Sequence, residues 1–352
     1  MSSTPETKSQ QNVSKENNSS GRARSNTTFV VSLKKDNTHT DSAVPVLSAY
    51  GYALGDQLGK GSYAIVKSAF SRKHQRQVAI KIVTKRKAPD DYLTKFLPRE
   101  IQVMKHLDHP NVVHMHEAIE TSSRIYLILD MADNGDLLEY IRTNGALKED
   151  KARHFFKQLL DAVGYIHNHG IVHRDLKCEN LLLNRDEQIF LSDFGFARSQ
   201  PTNPETKKRR LSQTFCGSYA YAPPEILRGI AYDGTFADIW SLGVVLYTMA
   251  CACLPFDDSN LKVLLEQVSK KVVFPRRRIL SPELKHLISK MLTCDVSQRI
   301  DINHIQQHPW YLNYQVTDSA TSTTENNGKG SRKENVSETN DELKEAETAP
   351  IT

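Results

Sequence analysis

One short segment of the sequence carries a carboxylate, an ammonium group and an amide at spacings suited to phosphoryl transfer. The segment is His173–Asn180, HRDLKCEN, and Asp193 follows at a short distance in the tripeptide DFG. Asp175 could accept the proton of a hydroxyl, and Lys177 could neutralise charge on the transferred phosphoryl group. Asn180 and Asp193 offer hard oxygen ligands of the kind that Mg²⁺ binds. Either motif alone could arise by chance, but both in this order make chance a poor explanation.

A lysine and a glutamate upstream form a second candidate pair. Lys81 lies in the alternating segment Val78–Val83, which predicts a β-strand. Glu100 is followed by apolar residues at i+3, i+4 and i+7, so it shares the apolar face of a predicted helix. A lysine on a strand is usually just exposed. A carboxylate on an apolar face needs a partner, however, and Lys81 is the natural one.

The segment before that strand contains two glycines two residues apart. Gly59 and Gly61 would let backbone amides approach a phosphate without a side-chain clash. Glycine pairs are common in turns, so a plain hairpin is the alternative, but the position just before the Lys81 strand favours phosphate binding. The candidate nucleotide-binding segment comprises Leu58, Gly59, Lys60, Gly61, Ser62, Tyr63, Ala64, Ile65 and Val66.

The elements that position these groups fall into two unequal regions. From Tyr50 to about Ile128 the pattern indicates strands around one helix, which is opened by Pro98. From there to Trp310 the pattern is mainly helical, and Gly170 ends one of the predicted helices. We therefore expect an α+β fold with a small strand-rich lobe followed by a large helical lobe.

Polar tails flank this region. Residues 1–48 are rich in Ser, Thr, Asn and Lys, and residues 314–352 form an acidic tail with almost no large apolar side chains. Such segments cannot bury enough surface to offset chain entropy, so we expect both to be disordered. The first residues are polar, and we expect no signal peptide.

Composition argues against several other classes of protein. The net charge of +5 is modest and no basic stripe with interleaved aromatics is visible, so we expect no nucleic-acid partner. The longest apolar stretch, Ile239–Phe256, could span a membrane by length, but we expect a buried core helix and no membrane association. Five sparse cysteines predict a reduced intracellular protein, located in the cytoplasm with the nucleus as an alternative.

Together these motifs resemble those of the eukaryotic protein kinases, from about Tyr52 to the closing His308-Pro309-Trp310. The resemblance implies a bilobal protein kinase fold, with an N-lobe over 49–129, a hinge over 130–135 and a C-lobe over 136–313. It implies ATP and Mg²⁺ as cofactors and protein substrates as partners. Lys177, two residues after Asp175, resembles the serine/threonine class rather than the tyrosine kinases.

The resemblance also implies how a nucleotide would be held. Leu129 aligns with the gatekeeper position, the stretch from Asp130 to Ala132 with the hinge contacts, and Asp136 with the ribose contact. The apolar residues that would enclose adenine are Leu58, Val66, Ala79 and Leu182.

Other positions resemble structural residues of the family. Asp238 resembles the residue that holds the catalytic-loop backbone, and Arg299 resembles the arginine that pairs with Glu225. Two positions depart from the family pattern: Ala64 replaces a frequent third glycine, and Pro223 replaces the alanine of A-P-E. We expect modest effects, because alanine still permits a compact loop and Glu225 is retained.

A narrower resemblance is to the testis-specific serine/threonine kinases of the calmodulin-kinase-like group, and among them to the fourth paralogue. The stretches that carry it are DDYLTKFLPREIQVMK, HRDLKCENLLL, SDFGFA, SQTFCGSYAY and LPFDDSNLK. This resemblance implies a role in male germ-cell development.

The segment between Asp193 and Glu225 aligns with the activation segment of the family. Thr214 resembles a regulatory phosphothreonine, whose phosphate could pair with Arg174 and order the segment. An upstream kinase or autophosphorylation would add it, and the alternative is an unmodified hydroxyl. Ser218 resembles the residue that helps to select Ser/Thr substrates beside the catalytic aspartate.

Two carboxylates predict a preference for basic substrates. Asp136 and Glu179 align with acidic positions that hold an arginine three residues before the phosphorylated Ser or Thr in basophilic kinases. The chain itself has two sites of this form, RARS ending at Ser25 and RRLS ending at Ser212. Both are candidate autophosphorylation sites, although a basic run is more often a solvated loop.

The main alternative is a pseudokinase scaffold, which binds partners without transferring phosphate. Such proteins typically lose the strand lysine or one of the two motif aspartates, whereas Lys81, Asp175 and Asp193 are all present. A metabolite kinase on the same fold is a third alternative, and Thr214 and the P-P-E element argue against it.

Overall fold

Alternating apolar and polar residues build the first part of the chain into a sheet. The computed structural model describes residues 43–200, 211–212 and 217–313, and the backbone of Val31–Ser32. Its main sheet has the order β1-β5-β6-β4-β3-β2, with β1 parallel to β5 and the other neighbours antiparallel. The strands are β1 Val31–Ser32, β2 Tyr52–Lys60, β3 Ala64–Ser71, β4 Arg76–Thr84, β5 Met115–Glu120 and β6 Arg124–Asp130. The strand predicted around Lys81 is confirmed as β4.

The outer face of this sheet is covered by a short helix, α1, at Ala43–Ala49. Leu47 on α1 is fully buried and packs with Val78, Ile80 and Tyr126 from the sheet. Disorder up to residue 48 was therefore the wrong expectation for 43–48, and also for Val31–Ser32, whose backbone pairs with β5. The composition of the whole tail is polar, but the local run Val44-Pro45-Val46-Leu47 supplies enough apolar surface to dock a helical turn.

The inner face of the sheet packs against helix α2, Leu97–Met104, with Pro98 in its first turn as predicted. A π-helical turn, Tyr92–Phe96, leads directly into this helix, and the N–H of Leu97 donates to the carbonyl of Tyr92. Leu97, Glu100, Val103 and Met104 are the buried residues of α2, so the apolar face predicted for Glu100 is confirmed.

The second lobe is mainly helical. Four short strands form two small antiparallel pairs, β7 with β10 and β8 with β9. The strands are β7 Ile171–Val172, β8 Leu181–Leu183, β9 Ile189–Leu191 and β10 Arg198–Ser199. The helices are α3 Leu137–Asn144, α4 Glu149–Asn168, α5 Pro224–Leu227, α6 Gly234–Cys251, α7 Leu261–Val268, α8 Pro282–Met291, α9 Ile302–Gln306 and α10 Pro309–Leu312.

Helix α6 forms the centre of this lobe. It is long and apolar enough to cross a membrane by length and composition, but 89% of it is buried within the protein. Trp240 is fully buried and stacks on Phe256, with ring centroids 5.8 Å apart. The buried core helix predicted for this stretch is therefore observed.

Several expectations fall on residues that the structure does not describe. Residues 1–30, 33–42 and 314–352 lie outside the described part of the chain, as do 201–210 and 213–216. Disorder of the remaining tail residues, the site ending at Ser25 and phosphorylation of Thr214 therefore remain predictions.

The buried position of Leu47 leads to a stability prediction. Leu47→Ala should lower the free energy of unfolding by about 2–5 kcal/mol, because it leaves a cavity between α1 and the sheet. Leu261→Ala is the matched control, since Leu261 is 48% exposed and should cost far less. Chemical denaturation of both variants measures the difference, and equal losses would show that α1 does not stabilise the sheet.

Candidate active site

The site begins with an ion pair between the sheet and α2. Lys81 Nζ lies 2.7 Å from Glu100 Oε1, and the Lys81 and Glu100 side chains are only 19% and 3% exposed. Burial alone would lower the pKa of Lys81, but the carboxylates of Glu100 and Asp193 outweigh burial and raise that pKa above its ordinary value. The predicted pair is thus confirmed, and Lys81 remains an ammonium group near neutral pH.

Asp175 lies in the loop that follows β7 and is almost completely buried. Its Oδ1 accepts a hydrogen bond from the Ser218 N–H at 3.2 Å. Its Oδ2 lies 3.1 Å from Lys177 Nζ and accepts from Asn180 Nδ2, also at 3.1 Å. The structure therefore brings Asp175 together with Lys177, Asn180 and Ser218, and these three groups fix the orientation of one carboxylate.

Asp238 on α6 holds the backbone of this loop by accepting hydrogen bonds from it. Asp238 Oδ2 accepts from the His173 N–H at 2.9 Å, and Oδ1 accepts from the Arg174 N–H at 2.8 Å. His167 Nε2 lies 2.8 Å from the same Oδ2. Burial opposes ionisation, but these partners outweigh it and lower the pKa of Asp238. The predicted role of Asp238 in holding the loop is confirmed.

Two oxygen-bearing side chains suit a hard divalent cation. Asn180 uses its Nδ2 to donate to the Asp175 backbone carbonyl at 2.8 Å, which leaves its amide oxygen as a potential ligand. Asp193 Oδ1 lies 4.0 Å from Lys81 Nζ, and its side chain is 47% exposed. Burial alone would raise the pKa of Asp193, but Lys81 and His173 outweigh burial and lower it. An amide oxygen and an ionised carboxylate fit Mg²⁺, which usually completes its shell with phosphate and water.

The glycine-rich segment forms the turn between β2 and β3. The Gly61 N–H donates to the Ala64 carbonyl at 2.8 Å, so Ala64 is accommodated in a compact turn as expected. A Cβ built on Gly59 would meet no atom within 4 Å, and at Gly61 the nearest is a carbonyl oxygen at 3.6 Å. The turn thus has open space beside its backbone, as phosphate binding requires.

A cavity of about 390 Å³ lies beneath this turn and includes Lys81 and Asp193 in its lining. A larger cavity of about 840 Å³ lies between α4, α6 and α9 of the second lobe. The smaller cavity is the better candidate site, because it contains the ammonium and carboxylate groups that phosphate and Mg²⁺ require.

The predicted adenine-enclosing residues come from both lobes. Ala79 pairs with Leu129 across β4 and β6, and Val66 pairs with Lys81 across β3 and β4. Leu182 on β8 bridges to Asp136 just beyond the end of β6, and Leu58 near the end of β2 is 46% exposed.

The side chain of Asp130 faces away from this pocket. Arg76 Nη2 donates to Asp130 Oδ1 at 3.0 Å, and His116 Nε2 lies 2.9 Å from the same oxygen. Any contact of Asp130 with a nucleotide must therefore come from its backbone. Ala132 and Asp136 follow it, and Asp136 Oδ1 caps α3 by accepting from the Glu139 N–H at 2.9 Å.

The comparison with protein families decides the identity of this arrangement. Residues 52–311 match the family model described as protein kinase domain. The chain belongs to the protein kinase family. The bilobal α+β architecture, with an antiparallel sheet followed by a helical lobe, agrees with that membership.

Comparison with individual relatives shows to which branch of the protein kinase family the chain is most similar in sequence among those compared. The chain is 50% identical over 267 residues to mouse testis-specific serine/threonine-protein kinase 1, covering 75% of this chain and 73% of the relative. It is 48% identical over 280 residues to human testis-specific serine/threonine-protein kinase 4, covering 77% and 85%. It is 45% identical over 265 residues to mouse testis-specific serine/threonine-protein kinase 3, covering 75% of this chain and 97% of the relative. The chain is therefore a serine/threonine kinase of the testis-specific family, and the expected fourth paralogue is among its relatives.

A second predicted ion pair stabilises the second, mainly helical lobe of the kinase. Arg299 Nη1 and Nη2 donate to Glu225 Oε1 and Oε2 at 2.7 and 3.0 Å. The Arg299 side chain has no exposed surface, and the guanidinium also lies over the Trp240 ring at 5.0 Å. The pair survives the change from A-P-E to P-P-E, as predicted, because Glu225 keeps its position at the start of α5.

The structure makes the hydroxyl of one candidate autophosphorylation site, Ser212, inaccessible. Ser212 is fully buried, and its hydroxyl accepts a hydrogen bond from Gln200 Nε2 at 2.9 Å. Its backbone also pairs with Tyr232 through hydrogen bonds of 2.8 and 2.9 Å. A kinase cannot reach this hydroxyl unless the segment leaves its observed position. Sequence reasoning missed Gln200, because a glutamine outside any motif gives no signal of such a contact.

Sequence reasoning also missed the role of Gly217. Its φ is +94°, and a Cβ there would lie 2.7 Å from the Arg174 carbonyl and 3.0 Å from Asp175 Oδ1. Only glycine allows the activation segment to approach the catalytic aspartate so closely. The signal available was the glycine in TFCGS, just before Ser218.

Gly217→Ala should therefore lower kcat by roughly a hundredfold, because a displacement of about 1 Å at a catalytic group is enough for such a loss. The control is Gly229→Ala, since Gly229 also has positive φ, +68°, but no atom lies within 4 Å of its Cβ position. Both variants should lose some stability from backbone strain. Steady-state kinetics with thermal unfolding separates the effects, and equal kcat values for the two variants would contradict the contact argument.

Proposed function

We propose that this kinase is catalytically active, uses ATP with Mg²⁺, and phosphorylates protein Ser or Thr residues that follow an arginine by three positions. The observation that carries the proposal is the assembled set of charged groups. Lys81 pairs with Glu100 and approaches Asp193, while Asp175 is held ready in the neighbouring loop. A pseudokinase scaffold would not need all of these contacts at once.

In this proposal Asp175 orients the substrate hydroxyl and accepts its proton as the hydroxyl oxygen bonds to the γ-phosphorus. The bond from that phosphorus to the β,γ-bridging oxygen breaks, and ADP leaves. The bonds from Ser218, Lys177 and Asn180 fix the carboxylate before substrate arrives. Such preorganisation lowers the barrier because little rearrangement is needed during the reaction. Lys177, which also donates to Ser218 Oγ at 3.1 Å, would offset negative charge on the transferred group.

Lys81 would bind the phosphates of ATP, held in place by Glu100. Asn180 and Asp193 would hold Mg²⁺, which neutralises phosphate charge when bound. The backbone of Asp130 and Ala132 would contact adenine between the apolar residues described above. The room beside Gly59 and Gly61 supports a phosphate position beneath the turn.

We also propose that phosphate on Thr214 activates the kinase, although Thr214 lies outside the described residues. Arg174 Nη1 is buried and has no hydrogen-bond partner among the residues that the structure describes. A buried guanidinium nitrogen without a partner is costly, and a phosphate would supply an acceptor of opposite charge. The same arginine donates from Nε to the Phe196 carbonyl at 2.8 Å, next to the DFG motif.

The preference for arginine rests on Asp136 and Glu179. Asp136 caps α3, which packs against the turn Cys178–Asn180 that carries Glu179. Burial is the main cause that raises the pKa of the Cys178 thiol to about 12, and the carboxylates of Glu179 and Asp136 contribute to the same rise. Glu179 is exposed and Asp136 uses only one oxygen for the cap, so both can accept hydrogen bonds from a guanidinium.

The biological setting is proposed from the relatives alone. Their names place them in the testis, and a function of this kinase in male germ-cell development follows by analogy. We propose a cytoplasmic location, with the nucleus as an alternative, and protein substrates as the partners. An upstream kinase is proposed as one source of the Thr214 phosphate.

Removal of either charged centre should abolish transfer while leaving the fold intact. We expect Lys81→Met and Asp175→Asn to lose activity, because the first removes the phosphate contact and the second removes the proton acceptor. Lys85→Met is the control, since Lys85 pairs with Glu120 outside the site. Phosphate transfer to a basic protein is measured beside thermal unfolding. Wild-type turnover in either site variant would refute the assignment, and an inactive wild type would favour the scaffold.

Thr214→Ala should lower activity after incubation with ATP or with an activating kinase, because Arg174 then lacks its phosphate partner. Thr206→Ala, in the same segment, should behave like wild type. Activity is compared at matched protein concentration, with phosphate stoichiometry at residue 214 determined by mass spectrometry. If Thr214→Ala matches fully phosphorylated wild type, residue 214 is not a switch.

Two peptides that differ only by Arg or Ala three residues before the acceptor test substrate choice. Wild type should prefer the arginine peptide about ten- to a hundredfold in kcat/KM, the size of a typical charged hydrogen bond. Glu179→Ala should reduce that ratio, whereas Glu283→Ala at the remote start of α8 should not. A wild-type enzyme that treats both peptides alike rules out arginine recognition.

A further inference from the structure

Two aromatic contacts begin on the π-helical turn that precedes α2. Tyr92, the first residue of the turn, packs on Tyr63 with ring centroids 4.5 Å apart and an interplanar angle of 52°. Phe96, its last residue, meets the edge of Phe196 with centroids 6.1 Å apart. One five-residue turn therefore touches two separate parts of the site. π-Helical turns are rare and occur frequently at functional sites.

Tyr63 lies at the tip of the glycine-rich turn. Gly59 and Gly61 beside it have no side chains with which to hold the turn in place. The backbone carbonyl of Tyr63 accepts from the Thr84 N–H at 3.1 Å, which ties the tip to the end of β4. The contact with Tyr92 adds a side-chain tie between the tip and the segment that leads to Glu100.

Phe196 directly follows the DFG motif that contains Asp193. Its contact with Phe96 therefore links the candidate metal-binding segment to the same π-helical turn. Tyr63, Tyr92, Phe96 and Phe196 all line the 390 Å³ cavity with Lys81 and Asp193. The glycine-rich turn, the entry to α2 and the DFG segment are thus joined by ring contacts around the phosphate site.

Tyr92 makes its contact as a neutral ring. Tyr92 is partly buried, and burial raises the pKa of its hydroxyl above the ordinary value, against the opposing effect of Lys81. The hydroxyl therefore stays protonated near neutral pH and adds no charge beside Lys81 and Asp193. Packing of the ring, rather than an ionic contact, has to explain what Tyr92 does.

We propose that Tyr92 is a positioning residue that holds the glycine-rich turn over the ATP phosphates through its ring contact with Tyr63. The proposal rests on the proposed phosphoryl transfer and adds a residue from outside the catalytic motifs. Because the turn closes over the nucleotide, loosening its tip weakens ATP binding and the alignment of the γ-phosphate. In the proposed function, protein substrate binds elsewhere, beside Asp175 and Glu179. The KM for protein substrate should therefore not change.

The expected size follows from the strength of aromatic pairs. Loss of one such contact should raise the KM for ATP about two- to tenfold. Tyr92→Leu and Tyr63→Leu should show this rise, with the KM for peptide unchanged. Tyr92→Phe should restore wild-type behaviour, because it keeps the ring and removes only the hydroxyl.

The decisive measurement is a double-mutant cycle on the two tyrosines. If Tyr92 acts through Tyr63, the double Leu variant should be no worse than either single variant. Independent, multiplying effects would overturn the proposal, as would a Tyr92→Phe variant as impaired as Tyr92→Leu. Tyr311→Leu on α10 is the matched control for loss of a half-buried tyrosine far from the site.

A second readout keeps this proposal separate from the proposed function. The shift in unfolding temperature on adding a non-hydrolysable ATP analogue with Mg²⁺ reports nucleotide binding without turnover. Wild type that transfers no more phosphate than Lys81→Met would refute the proposed function, and the analogue would still decide whether Tyr92 positions the turn. Equal shifts for wild type, Tyr92→Leu and Tyr63→Leu would overturn the positioning role even in an active kinase.

Discussion

The arrangement of the active site depends on one carboxylate buried in an apolar helix. Asp238 is 1% exposed, and its neighbours along α6 are almost all apolar. A charge in such a place is costly unless hydrogen bonds compensate it, and the two N–H groups of His173 and Arg174 do so. The loop is held because these two N–H groups, together with His167, satisfy the buried carboxylate. Arg174 accepts a left-handed φ of +68° as part of this arrangement.

The two lobes contribute different physical properties to catalysis. The groups from the second lobe are fixed by α6 and by several hydrogen bonds on Asp175. The groups from the first lobe meet through fewer contacts: the Lys81–Glu100 pair, the approach of Lys81 to Asp193 and the ring contacts of the π-helical turn. In the proposed mechanism, proton acceptance therefore depends on a loop held by several hydrogen bonds, whereas nucleotide binding depends on groups held by fewer contacts. Loops that move to admit ligands are drawn from such sparsely packed regions.

Much of the site could be predicted because its residues obey local rules. The periodicity of the sequence places Glu100 on an apolar helix face and Lys81 on an alternating strand, which predicts that the two side chains pair. The loop around Asp175 can be recognised because its residue types follow an unusual order. Features that depend on distant contacts could not be predicted in this way. The bond from Gln200 to Ser212 joins residues with no shared pattern, and the need for glycine at 217 appears only when Asp175 is placed beside it. Thr214 and the substrate arginine remain predictions.

Because helix α1 packs on the sheet, the folded unit begins earlier in the chain than the region that matches the kinase family model. The match to the family model begins at residue 52, yet the helix that packs on the sheet begins at residue 43. A recombinant fragment cut at the start of the similarity would leave Ile80 and Tyr126 without the side chain that covers them. Apolar surface uncovered in this way favours self-association and poor solubility. We therefore expect an isolated catalytic fragment to stay monomeric more readily when it keeps the nine residues before Tyr52.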